Sequence, residues 1–195
     1  MYCLMMNAQE LIHAPGSLIL VYNYPDAHFY LKLEGKTVKE TAMDNVFILD
    51  DKVIQVIVLN KDNFMEGNER VSSTKDFIQS YIDWELQYLN ETFSTRLKNS
   101  IRFVPSGVSD YIALWSYDMP VNKSDEIQTE SSDSTSNRKQ MFAVTSIGDY
   151  IVGVNSPLFE AEMLDEIQDF LFQTVANIIR SDVEINAAEL GAKLN

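Results

Sequence analysis

The sequence predicts an α+β fold, with a central, mainly antiparallel β-sheet flanked by two long helices in an α/β/α sandwich-like arrangement. Short apolar runs bounded by turn residues come in two series, and each series is followed by a long stretch of helical periodicity. Few connections have the length or pattern of a helical crossover, which favours antiparallel over doubly wound parallel pairing. The hydrophobic fraction of 46% and the aromatic content (Phe 10, Tyr 9, Trp 2) supply a packed core, and the 195 residues suit one domain spanning 1–195.

The first element is Gly16 to Tyr24, where Leu18-Ile19-Leu20-Val21 sits between Pro15-Gly16 and Pro25-Asp26 and reads as a buried strand. Phe29, Leu31 and Leu33 alternate with Tyr30, Lys32 and Glu34, the period of a strand with one wet face. Glu34-Gly35-Lys36 reads as a turn. From Val46 to Leu59 runs a β region broken by a hairpin connection at Asp50-Asp51-Lys52. Its second limb, Val53 to Leu59, is apolar almost throughout and is expected at the centre of the sheet, covered on both faces.

Residues 60–73 are polar and aperiodic. Ser73, with Asp76 three positions on, resembles a capping box. Phe77, Ile78, Tyr81, Ile82, Trp84, Tyr88, Leu89 and Phe93 then recur at helical spacing, so one side of this helix is expected against the sheet. Strands follow at Ile101–Val104, Tyr111–Tyr117 and Met141–Val154, the last with a turn at Gly148-Asp149. The segment 118–140 between two of them is rich in Ser, Asp, Glu, Asn and Thr, and reads as a long flexible acidic loop. The last helix is expected to start with Ser156 as cap and Pro157 in its first turn. Its apolar seam runs from Met163 to Ile179, with Arg180 at the far end. Residues 182–195 form a tail with a turn or two of helix over Ala187–Lys193.

The formal net charge is −14, and no window holds a stripe of Lys and Arg. Phosphate backbones are bound by cation clusters, so nucleic acid is excluded as a partner, and so is docking on anionic lipid. No run of about 18 apolar residues occurs, so membrane insertion is not expected. Cys3 is the single cysteine, which rules out an internal disulfide and a multi-cysteine zinc site and fits a cytoplasmic setting.

Catalytic and cofactor motifs are missing. His13 and His28 have no second ligand at metal spacing, and no G-x-S-x-G elbow, G-x-x-x-x-G-K-[ST] or G-x-G-x-x-G loop occurs. The string from Asp62 to Gly67 fails as a calcium loop because Phe64 stands where an oxygen ligand is required. No catalytic residue, metal site or cofactor is expected. Tyr81, Trp84 and Tyr88 on the first helix, with Trp115 and Tyr117 on a strand, form an aromatic set that serves either as a patch for a partner or as the rim of the helix–sheet core. Asn90 and Asn122 head glycosylation sequons that matter only in a secreted eukaryotic chain.

In the order of its elements the chain resembles the PsbP-like superfamily. The resemblance lies in the strands from Phe29, the hairpin limb Val53 to Leu59, and the helix Thr74 to Phe93. It continues through the run Tyr111 to Tyr117 and the stretch Gly148 to Pro157 leading into the last helix. It implies a binding or accessory domain rather than an enzyme, and no functional residue carries over. The expected function is therefore that of a non-catalytic, adaptor- or chaperone-like interaction domain. Its partner is expected to be another protein, met through an exposed sheet face or the helix rim, with homo-oligomerisation left open. A small-ligand carrier and a hydrolase-type enzyme without a recognisable motif are the alternatives.

Overall fold

The computed structural model describes residues 10–65, 73–120, 139–159 and 163–194. Eleven strands and three helices are found among them, and the strands form two antiparallel sheets rather than one. The larger sheet takes β4 (Val38–Glu40), β5 (Val46–Leu49), β6 (Lys52–Asn60), β10 (Tyr150–Leu158), β9 (Lys139–Ile147), β8 (Tyr111–Asp118) and β7 (Asn99–Pro105), in that spatial order. The smaller takes β1 (Glu10–Ala14), β2 (Ser17–Tyr24), β3 (Ala27–Glu34) and β11 (Ile179–Ser181).

Alternation along the strands sorts side chains into two cores. In β6, Ile54, Val56 and Val58 face the smaller sheet and α2 (Leu164–Ala176), whereas Ile57 and Leu59 face α1 (Thr74–Thr92). The limb Val53–Leu59 is thus inside the sheet and covered on both faces from Val56 onward, as its largely apolar run predicts. In the smaller sheet Leu18, Leu20 and Tyr22 point into the first core. Ile19 and Val21 point outward and are covered by Ala187 and Leu190 of α3 (Ala187–Leu194).

The turns use residues that tolerate left-handed backbone. Asp50 (φ 45°) and Asp51 (φ 70°) close the β5–β6 hairpin with the two positive φ angles that a tight two-residue turn demands. The Asp50 carboxylate also accepts from the backbone amides of Thr37 (2.8 Å) and Lys36 (3.0 Å), which hold it below the usual carboxylate range. Gly148 (φ 55°) turns β9 into β10 where expected. Gly153 is required for another reason: a Cβ there would lie 2.2 Å from the Ala143 carbonyl oxygen in the neighbouring strand.

Ser73 caps α1 as predicted, its hydroxyl accepting from the Asp76 amide at 3.2 Å. The last helix departs from expectation. Ser156 and Pro157 belong to β10, opposite Met141 and Gln140, and α2 starts only at Leu164 with no side-chain cap. Pro157 is tolerated because the β10–β6 ladder ends at Asn155–Gln55, so on that side no hydrogen bond is interrupted. At the other end Asn177 terminates the helix, and Ile179 and Arg180 pair with Tyr30 and Phe29 as β11. The flanking helices are therefore 19 and 13 residues long, not two long ones. Most of the acidic 118–140 segment, together with Cys3, lies outside the described residues.

Candidate functional site

The aromatic set is largely interior. Tyr81, Trp115 and Tyr117 are buried, Trp84 is half-buried, and Tyr88 is exposed. Trp115 stacks on Phe142 at 3.9 Å and meets Tyr81 edge-on at 6.5 Å, with Tyr117 at 6.1 Å. Phe64 touches Phe77, Tyr81 and Trp84. Four of the five residues are thus brought together as the packing between α1 and the larger sheet, and Tyr88 stands outside this cluster. The spacing reads this way because aromatic residues at helical period on a sheet-facing helix bury before they bind.

Beneath the same helix lies a group that the sequence reading missed. Glu85 is half-buried on the sheet-facing side of α1, and burial pushes its carboxyl up to about 7. Burial, aided by the Glu85 charge, pushes the Tyr117 hydroxyl up to about 12. The Trp115 Nε1 donor is buried without a partner. An amide chain borders this region, with Gln140 donating to Asn155 at 2.8 Å and Asn155 to Gln55 at 3.0 Å across three strands. The signal for Glu85 was its position four residues after Tyr81 and three before Tyr88, inside the apolar stripe.

Among the described residues helices cover most of the sheet faces. The larger sheet is covered by α1 on one side and by α2 with the smaller sheet on the other, and α3 covers the smaller sheet's outer side. Among the described residues four strands end a sheet, β4 and β7 in the larger and β1 and β11 in the smaller, and β7 is the one along which cations gather. β7 ends the larger sheet on one side, and no strand among the described residues pairs with its outer side. Asp118 donates to Lys98 O and Ser106 to Asp110 O, both in the β7–β8 register, so the even-numbered residues of β7 bond inward. The amides of Asn99, Ile101 and Phe103, and the carbonyls of these three and Pro105, consequently point outward.

Cations line this edge. Lys98 precedes β7 and the exposed Arg102 lies at its middle, 3.3 Å from Gln168 of α2. The Lys75 ammonium sits 5.0 Å above the Phe103 ring, and Arg180 donates to the carbonyl of Val108 just beyond the strand. Arg96 opens instead on a depression of about 500 Å³ that it shares with Asp83 and Glu91. From 92 to 109 the sequence holds no carboxylate at all, in a chain of net charge −14. That window was the available signal, and it acquires meaning only once β7 is known to be an edge.

The two histidines have polar neighbours near the surface. His13 lies 3.2 Å from Glu40 with most of its side chain exposed, and His28 Nδ1 lies 3.2 Å from the Asn23 amide oxygen. Among the described residues no three His, Cys, Asp or Glu side chains are grouped to hold a metal, and no helix is long and apolar enough to cross a membrane. Asn90, which heads the first sequon, accepts through its side chain from the Leu97 amide at 2.7 Å. Asn122 lies outside the described residues.

No family model matches the chain, and no curated protein does so at a significant level. Among solved structures it is similar to the solution structure of cyanobacterial PsbP (CyanoP) from Synechocystis sp. PCC 6803. The TM-score is 0.48 at 10% sequence identity, over 85% of this chain and 94% of that one. The likeness is one of overall structure alone, and nothing about the site or the function rests on it.

Proposed function

We propose that the chain is a non-catalytic protein-interaction or accessory domain, adaptor- or chaperone-like, whose partner is another protein. One observation carries this reading: a seven-residue edge strand, with no strand among the described residues on its outer side, is lined by cations in an otherwise acidic molecule. Unpaired edges invite other chains, and a fold that keeps one open exposes itself to aggregation unless the edge has a use. The net charge supports the exclusion of nucleic acid, and the lone cysteine supports a cytoplasmic setting. Affinity purification of the tagged chain from its native cells, at low and high salt, tests the reading. A protein partner held at low salt and released at high salt is expected. Recovery of the chain alone at both would sink it.

A further inference from the structure

We infer that β7 is a strand-addition site for an extended acidic segment of a partner protein. The inference rests on the interaction reading above and names the surface and the chemistry of what docks there. Backbone complementarity comes first. The outward amides of Asn99, Ile101 and Phe103 and the carbonyls beside them offer the ladder that an added strand would complete. Pro105 has no amide to offer, so the ladder ends there.

Side chains then set the preference. On the α1 side an incoming strand runs beside Ile101 and Phe103, both half-buried and able to take apolar residues at alternate positions. Lys75 stands over Phe103, and Lys98 and Arg102 lie along the edge itself, so acidic residues at the intervening positions meet opposite charge. The carboxylate of Asp110 at the far end already accepts from Thr74 at 2.9 Å.

Edge cations also serve as guards against unwanted pairing. Here guarding and selection use the same charges. Two copies joined β7 to β7 would bring Lys98 and Arg102 of both chains into one ladder, on top of a net charge of −14 each. That repulsion disfavours a second copy and leaves the edge to a partner of opposite local charge.

The test is selection of short random peptides displayed on phage against the immobilised full chain, followed by amide hydrogen exchange with the enriched peptides. Sequences alternating Asp or Glu with β-branched or aromatic residues are expected, and their binding should slow exchange at Ile101 and Phe103. The double variant Lys98→Glu/Arg102→Glu should bind them about tenfold more weakly at low ionic strength and about equally at high. Ile101→Pro removes an outward amide and should abolish binding. The charge-reversed variant keeps the test decisive if the proline variant does not fold.

Enriched peptides without acidic character, or acidic peptides that protect amides elsewhere, would overturn the edge assignment while leaving the interaction reading intact. Concentration-dependent protection of β7 without peptide would assign the edge to self-association instead. If no peptide is enriched, the strand-addition site falls, whereas the broader reading falls only if the chain also purifies alone.

Discussion

Glu85 shows how one side chain can make this molecule's stability depend on pH. Burial under α1 is the sole cause of its raised pKa, and the neighbouring titratable group is Tyr117, which carries no positive charge to compensate. An acid that titrates near 7 when folded and near its ordinary value when unfolded binds its proton more tightly in the folded state. Its favourable contribution is therefore complete at acid pH, declines as pH rises through 7, and becomes a constant penalty above that. Glu85→Gln keeps the shape and removes the charge. It should leave stability nearly unchanged at about pH 4 and raise it by on the order of 2 kcal/mol at about pH 8. Urea unfolding of both chains at the two pH values checks this. An equal change at both, or a loss at the higher one, would mean that Glu85 is not held as a reluctant carboxylate.

At the scale of elements, the end of α1 holds backbone strain that its residue type does not relieve. Among the described residues the other non-glycine positions at positive φ are Asn45, Asp50 and Asp51, types that tolerate left-handed backbone. Ser94 (φ 51°) is the exception, at the position after the helix cap where glycine is the common choice. Its amide donates to Glu91 O at 3.2 Å and that of Thr95 to Asn90 O at 3.1 Å, so the turn is used to satisfy the last carbonyls. Ser94→Gly should keep both bonds and raise stability by about 0.5 kcal/mol or slightly more, since relief of the left-handed penalty is partly offset by glycine's unfolded-state entropy. A higher urea midpoint with unchanged slope is the expected signature.

Elements with strong local signals were legible in the sequence: α1 with its Ser73 cap, the Asp50-Asp51 hairpin, the Gly148 turn and the apolar limb Val53–Leu59. Ser156-Pro157 misled because the same pair serves at a helix start or past the end of a ladder, and only the pairing of β10 with β6 decides. Ile178 and Ile179 continue the helical seam of α2 by spacing, and a short apolar run does not separate helix from strand. β4 and β11 are three residues each, too short to leave a pattern. As for the candidate site, the aromatic cluster was readable as core rim, but the edge was not. An acid-free window becomes a surface only when the long-range order of strands places it last in a sheet.

At the scale of the whole molecule, the division into two sheets was invisible because Phe29, Leu31 and Leu33 alternate in the same way whichever sheet they join. That division makes the C-terminal segment structural. The smaller sheet has buried residues on both sides, and its outer side is closed by α3 through Ala187 and Leu190, over Ile19 and Val21. Asn23 holds the approach to α3 with two hydrogen bonds to Ile185, donating to its carbonyl at 3.0 Å and accepting from its amide at 2.8 Å. Ending the chain at Asp182 would uncover Ile19 and Val21, each fully buried at present. Exposure of two such side chains costs about 3 kcal/mol or more, and leaves an apolar strip on a sheet of only four strands. The truncated chain should therefore unfold at a lower urea concentration, bind a hydrophobic dye while still folded, and scatter light as concentration rises. Asn23→Ala in the full chain should lose about 1–2 kcal/mol without the dye binding or the self-association, because the tail is loosened but still present. If the truncated chain keeps its midpoint and scatters light no more than the intact one, the segment is an appendage, and the smaller sheet must be stable with its outer face wet.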